Sequence, residues 1–320
     1  MKKIRKYIYL LLIFSYVSFT SCEDFALGEK FLQKPPSGDV TIDTIFSTAE
    51  YARRVLWYAY SKLPYGFSTG YNNSTSMRVG SIESLTDLAQ SYVGYAGADK
   101  LYYPGLYNAG SEDESGGEDH ATKYNMYARD PWKGIRHAWV FINNVDRVPD
   151  MTAEEKLRLK AEAKITIAVQ YSEMLRHYGA LPIVDHAIMP EEMGLPERAT
   201  LQQTVDFITR LLDEAIACKE LPWALPEDDL SNESGRMTGA AAMGLKLRVL
   251  LFVASPLFNS DEPYFPGEAS DKLMTWFGGY SEQRWKDAAK AGEDFFKSWK
   301  QGGFYEFVQK ETATKNTIRQ

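Results

Sequence analysis

Between Thr152 and Pro182 the sequence leaves room for one regular structure only. Thr152-x-x-Glu155 is a capping-box pattern, in which the threonine hydroxyl and the glutamate carboxylate satisfy free backbone N–H groups at a helix start. Leu157, Ala161, Ile165, Ala168, Leu175 and Tyr178 then recur at three-, four- and seven-residue steps, the spacing of one helical face. A second apolar row, Ile167, Tyr171 and Met174, widens that face and predicts a helix packed against two neighbours. Gly179 supplies a left-handed stop and Pro182 forbids continuation. Upstream, Asp130-Pro131 opens another helix, with a capping side chain and Pro in the first turn, and places Trp132, Ile135, Trp139 and Ile142 on one side. The turn Val148-Pro149-Asp150 joins the two helices into a pair.

The rest of the chain repeats this grammar. Ser47-Thr48-Ala49-Glu50 is a further capping-box pattern, opening a helix with Tyr51, Val55, Tyr58 and Leu63 expected on its inner face. Thr200-x-x-Gln203 caps a helix carrying Val205, Ile208, Leu212 and Ile216. Residues 240–254 are rich in Ala and Gly, which permits close helix approach, and Pro256 ends them. Lys246 and Arg248 interrupt that apolar run and argue against a membrane span. A last helix is expected from about Glu282 to Lys300, with Trp285, Ala289 and Phe296 inward. Successive helices of this kind predict a mostly α stack of helical hairpins, with no clean tetratricopeptide consensus in the sequence. Residues 64–130 are different: they show little periodicity and are rich in Gly, Asn, Ser and Tyr, as expected of a functional loop region or of one containing short elements of its own.

The start of the chain has its own logic. Lys2, Lys3, Arg5 and Lys6 precede an apolar run from Tyr7 to Phe19 that is short for a spanning helix. Phe19-Thr20-Ser21-Cys22 follows and resembles a lipobox, although Phe19 stands where an aliphatic residue is usual. This predicts a signal peptide over 1–21, lipid attachment at Cys22, an extended tether over 22–46 containing Lys34-Pro35-Pro36, and a helical domain over 47–320. If Cys22 is acylated, Cys218 has no intrachain partner and reads as a small buried residue.

Several chemistries are weighed by these residues. The net charge of −7 argues against a nucleic-acid partner, which needs a basic face. Gly66-Phe67-Ser68-Thr69-Gly70 is a literal G-x-S-x-G, but a nucleophile elbow needs a strand before it and a helix after it, and the flanking residues supply neither. His120, His137, His177 and His186 show no metal-ligand spacing, and His177 at a helix end reads as a capping or packing residue. The acidic run Glu112 to Asp119 lacks calcium-loop spacing and reads as a solvated loop. No cofactor is implied. The most suggestive residues are Tyr92, Tyr95, Tyr102, Tyr103 and Tyr107, interleaved with Gly94, Gly97 and Gly105, to which Tyr65 and Tyr71 can be added. Sugar C–H faces pack on such rings; the alternative is that the rings fill a local core or meet a protein partner.

Taken together, the leader ending at Cys22, the block "FINNVDRVPDM" with "YGALPIVD", "ERATLQQTVDFITRLLDEA" and "GRMTGAAAMGLKLRVLLFVASPLFN" resemble the SusD/RagB family of outer-membrane nutrient-binding lipoproteins. The resemblance covers most of residues 22–260 and implies tetratricopeptide-like helical hairpins framing an irregular ligand-binding region. It also implies a protein that is not an enzyme, anchored by lipid in the cell outer membrane and facing outward. Such a protein would bind a nutrient, most simply an oligosaccharide, and deliver it to a SusC-like TonB-dependent transporter. Family members continue well beyond 320 residues, so a C-terminal part is expected to be absent. Two rival readings follow from the residues: a transporter partner without its own ligand site, and a glycoside hydrolase whose carboxylate pair the spacing does not reveal.

Overall fold

The computed structural model describes residues 41–63, 87–88, 90, 103–106, 130–188, 192, 194 and 196–301. The chain divides into a leading unit, Met1–Thr44, and a body from Ile45. In the leading unit, the Thr44 N–H donates to Thr41 Oγ1 at 3.2 Å. Among the described residues the body has six longer helices: α1 (Ala49–Tyr60), α2 (Asp130–Asn144), α3 (Ala153–Tyr178), α4 (Leu201–Ile216), α5 (Gly239–Ala254) and α6 (Glu282–Gln301). Each packs against the next in sequence, and α3 also touches α1 and α5. Among the described residues there is no strand, only an isolated bridge between Pro182 and Arg198. The mostly α stack read from the sequence is the architecture observed.

Helix α3 is the spine. From Leu159 to Leu175 it is buried on nearly every side, with Ile165, Ile167, Ala168, Tyr171 and Met174 all in the core. The apolar row does not begin where its spacing predicted, since Leu157 is exposed. The Thr152 hydroxyl caps the helix by accepting from Glu155 N at 3.1 Å. The reciprocal half of the box is absent: Glu155 instead forms a two-pronged ion pair with Arg53 of α1, at 2.6 and 2.9 Å. A paired guanidinium is a stronger partner for a carboxylate than one backbone N–H. Asp150 reaches the same helix and accepts from Ala49 N at 2.6 Å, so the α2–α3 connection closes the start of α1.

At the other end of α3, Gly179 sits at φ +72°, and a Cβ there would lie 2.7 Å from the Met274 carbonyl oxygen. Arg198 donates to the carbonyls of Tyr178 and Ala180, covering the helix's free acceptors with a cation, and its burial lowers its pKa. The core of the pair is fastened by Tyr171, which donates to Pro182 O at 2.9 Å and accepts from Val184 N at 2.8 Å. The Trp139 indole N–H donates to Val184 O at 2.9 Å.

Two predicted faces are corrected. In α1 the cap is Thr48, not Ser47, and the buried residues are Ala49, Ala52, Leu56 and Ala59. Tyr51 and Tyr58 are exposed and Val55 is half-buried. In α6 the inner face is Ala288 and Ala291 with Gly292 and Phe295, whereas Trp285, Ala289 and Phe296 are exposed. The reason is the same in both. Small residues let the backbones approach: a Cβ on Gly134 of α2 would come within 3.1 Å of Lys62 Cβ, and one on Gly292 within 3.6 Å of Leu247. Tyr51, Tyr58, Trp285 and Phe296 are therefore displaced to the rim. The α4 capping box forms in full, with Val205, Ile208 and Leu212 buried and Ile216 half-buried.

Candidate functional site

Of the residues singled out in the sequence, Cys22, Tyr65, Tyr71, Tyr92, Tyr95, Tyr102 and Tyr107 lie outside the described residues, as do Ser68, His120 and the acidic run 112–119. Tyr103 is described: it occupies the turn 103–106, with Gly105 at φ +73°, and is 39% exposed. The histidines within the body are packing or surface residues. His137 lies 4.3 Å from the Tyr58 ring, and His177 lies beside Tyr178. His186 is exposed between Glu192 and Asp185, each 2.8 Å from one ring nitrogen, and these carboxylates raise its pKa. Among the described residues no three His, Cys, Asp or Glu side chains could together hold a metal ion. Cys218 is half-buried and free, its thiol 3.6 Å from Leu157 O.

What the tertiary structure adds is a groove of about 350 Å³ where α4, α5 and α6 meet. That is the lower end of the small-molecule range of roughly 300–1,000 Å³. Its floor is apolar, made by Val205, Leu250, Val253 and Phe277, and its walls are charged. Helix α4 presents Asp206 and Asp213, α5 presents Lys246, and α6 presents Arg284, Asp287, Lys290 and Asp294. Lys246 pairs with Asp213 at 2.5 Å and Lys290 pairs with Asp294. The lysine beside it lowers the pKa of the Asp294 carboxyl.

Arg284 is held differently. Its guanidinium lies 3.9 Å from the centre of the Phe277 ring, and Nη1 donates to Asn259 Oδ1 at 2.9 Å and to Gly279 O at 3.0 Å. Burial lowers its pKa, and no carboxylate pairs with it among the described residues. Asn259 is itself buried, donates to Ala254 O and Ser281 O, and accepts from Ser281 N at 2.7 Å. The end of α5 and the start of α6 are thereby fixed by one amide, and the groove wall is rigid at Arg284. Sequence reasoning missed this groove. Its trace is polar residues at helical spacing: 202, 206, 209 and 213 on α4, then 284, 287 and 294 on α6.

A second, smaller cavity of about 170 Å³ lies between α3 and α5 around Glu173, Arg176 and Arg248. There the carboxylate is already occupied on both oxygens, by Arg176 at 2.7 Å and Arg248 at 3.1 Å. Farther along α3, Glu162 is fully buried and receives Arg158 at 3.0 Å, Tyr60 at 2.8 Å and Arg236 at 2.5 and 3.2 Å. This second cluster ties α1, α3 and the segment before α5 together and belongs to the scaffold.

No protein-family model matches the chain, and no curated protein does. Solved structures do match. The protein BT4246 aligns at 22% identity over 78% of this chain and 40% of its own, with a TM-score of 0.58. A SusD homologue from Bacteroides thetaiotaomicron VPI-5482 aligns at 18% identity, over 82% and 49%, with a TM-score of 0.54. The SusD-like protein BF3747 of Bacteroides fragilis NCTC 9343 aligns at 18% identity, over 86% and 42%, with a TM-score of 0.52. The fold is SusD-like. The resemblance read from the sequence blocks is thus matched at the level of the fold. The chain spans less than half the length of these three structures.

Proposed function

We propose that this chain serves a surface-anchored outer-membrane lipoprotein that binds a glycan and delivers it to a SusC-like TonB-dependent transporter. The observation that carries the reading is the SusD-like fold, met by sequence blocks that point the same way. The leader ending at Cys22 supports a lipid anchor, because acyl chains on one residue hold a protein to a membrane without a spanning segment. Among the described residues no helix is long and apolar enough to cross one. Binding, not turnover, is the activity proposed. Sugar rings stack on tyrosines drawn from Tyr65, Tyr71, Tyr92, Tyr95, Tyr102, Tyr103 and Tyr107, while hydroxyl groups are hydrogen-bonded around them. Movement of the bound protein over the transporter then releases the ligand into it.

Two measurements test this. The full chain, expressed with its leader and purified in detergent, is screened on a glycan array, with circular dichroism to establish that it is folded. Binding to one glycan class that is lost in a folded Tyr102→Ala/Tyr103→Ala variant is the expected result. Folded protein that binds no glycan would sink the reading. Metabolic labelling with a radioactive fatty acid should mark the wild type but not Cys22→Ala, and label retained in that variant would remove the proposed anchor.

A further inference from the structure

We infer that the groove between α4, α5 and α6 is a saccharide subsite that takes a neutral sugar ring. The inference rests on the glycan-binding reading for its ligand class; the location and the preference for an uncharged ligand come from the groove. Its walls carry four carboxylates, Asp206, Asp213, Asp287 and Asp294, against three cations, Lys246, Lys290 and Arg284. An anion therefore meets a small net repulsion. A metal ion is not served either, since two of the carboxylates are neutralised by lysines and, among the described residues, no three donors converge.

What the groove does offer is unspent hydrogen-bonding capacity around an apolar floor. Asp206 receives Gln202 on one oxygen at 2.8 Å, and Asp287 receives Gln283 on one oxygen at 2.8 Å. Among the described residues each carboxylate keeps a second oxygen with no protein donor, ready to accept from a hydroxyl. Arg284 spends Nη1 on the protein and keeps its other N–H groups to donate. A pyranose has both needs: hydroxyls that donate and accept at its rim, and C–H faces for Leu250, Val253 and the edge of Phe277. The donor is also set before binding. Arg284 is clamped by Asn259, Gly279 O and the Phe277 ring, so a ligand loses little side-chain entropy in using it.

The test uses the full chain in detergent and a panel of neutral hexasaccharides: an α-1,4-glucan, a β-1,3-glucan, a β-1,4-mannan and a β-1,4-xylan, with an oligogalacturonide as the anionic probe. Affinities are measured by calorimetry for wild type, Asp206→Trp, which fills the groove from an exposed helix position, and Asp287→Ala. The expected result is binding of a neutral hexasaccharide that weakens about ten-fold or more in both variants, the loss expected of a hydrogen bond to a charged group. Their melting temperatures should be unchanged, and bound sugar should slow amide exchange over 284–291. Wild-type affinity in Asp206→Trp, with loss only in the Tyr102→Ala/Tyr103→Ala variant, overturns the groove and leaves glycan binding standing. Folded protein that binds no member of the panel overturns both. An oligogalacturonide bound more tightly than any neutral probe overturns the neutral preference.

Discussion

Replacing Glu162 by Ala is the sharpest test of how this fold is held together. The side chain is fully buried on α3 and accepts four hydrogen bonds, two from Arg236 and one each from Arg158 and Tyr60. Tyr60 in turn accepts from Met237 N at 3.0 Å, so a single carboxylate joins α1, α3 and the entry to α5. Removing one partner of a buried ion pair costs about 3–5 kcal/mol, because the other charge is left without compensation. Here Arg158 and Arg236 keep Glu233 and are 23% and 17% exposed, so water and one carboxylate remain. That places the expected loss near the lower end, about 3 kcal/mol, or a fall in melting temperature of roughly 6–12 °C for a body of this size. Urea melts followed by circular dichroism should show a lower midpoint with an unchanged slope. A double-mutant cycle with Arg236→Ala should return a coupling of about 1–3 kcal/mol. A Glu162→Ala midpoint indistinguishable from wild type would refute the claim that this network carries stability. Acid acts on the same cluster through Glu233. Burial opposes its ionisation, but Arg158 and Arg236 outweigh that and hold its pKa below the ordinary carboxylate value. Its contribution is complete above the unfolded-state pKa and disappears as pH falls through the depressed folded one.

Three further outcomes follow from the geometry. Trp139→Ala removes a buried indole and its hydrogen bond to Val184 O, and should destabilise by about 3–5 kcal/mol; an unchanged melting temperature would reject the packing of α2 on α3. Gly179→Ala combines a φ of +72° with a Cβ placed 2.7 Å from Met274 O, so it should lose more than about 1 kcal/mol in a thermal melt, whereas Gly194→Ala, with open space around it, should lose less. His186 should titrate above its ordinary value in an NMR pH series, because Glu192 and Asp185 favour the imidazolium. The pairing it provides is present below the unfolded-state pKa and is lost as pH rises through the raised one; a Glu192→Gln variant that leaves the titration unmoved would refute the cause.

Legibility followed the range of the interaction. Thr152, Thr200 and Gly179 mark helix ends because capping is settled within three or four residues, and the buried run of α3 is written in its spacing. From such elements the sequence alone determined a mostly α stack, the pairing of the two helices around Trp139, and the resemblance that the SusD-like fold now matches. The tertiary structure decided what depends on distance. Glu155 left its own backbone for Arg53, 102 residues away, because an ion pair is the stronger partner. Ala52, Ala59, Ala288 and Ala291, not Tyr51, Tyr58, Trp285 or Phe296, became buried contacts of α1 and α6, because interhelical distance is set by the smallest residues that meet. The groove likewise draws its charged walls from residues between 206 and 294 on three helices, each an ordinary charged position in the sequence until packing sets them around one apolar floor.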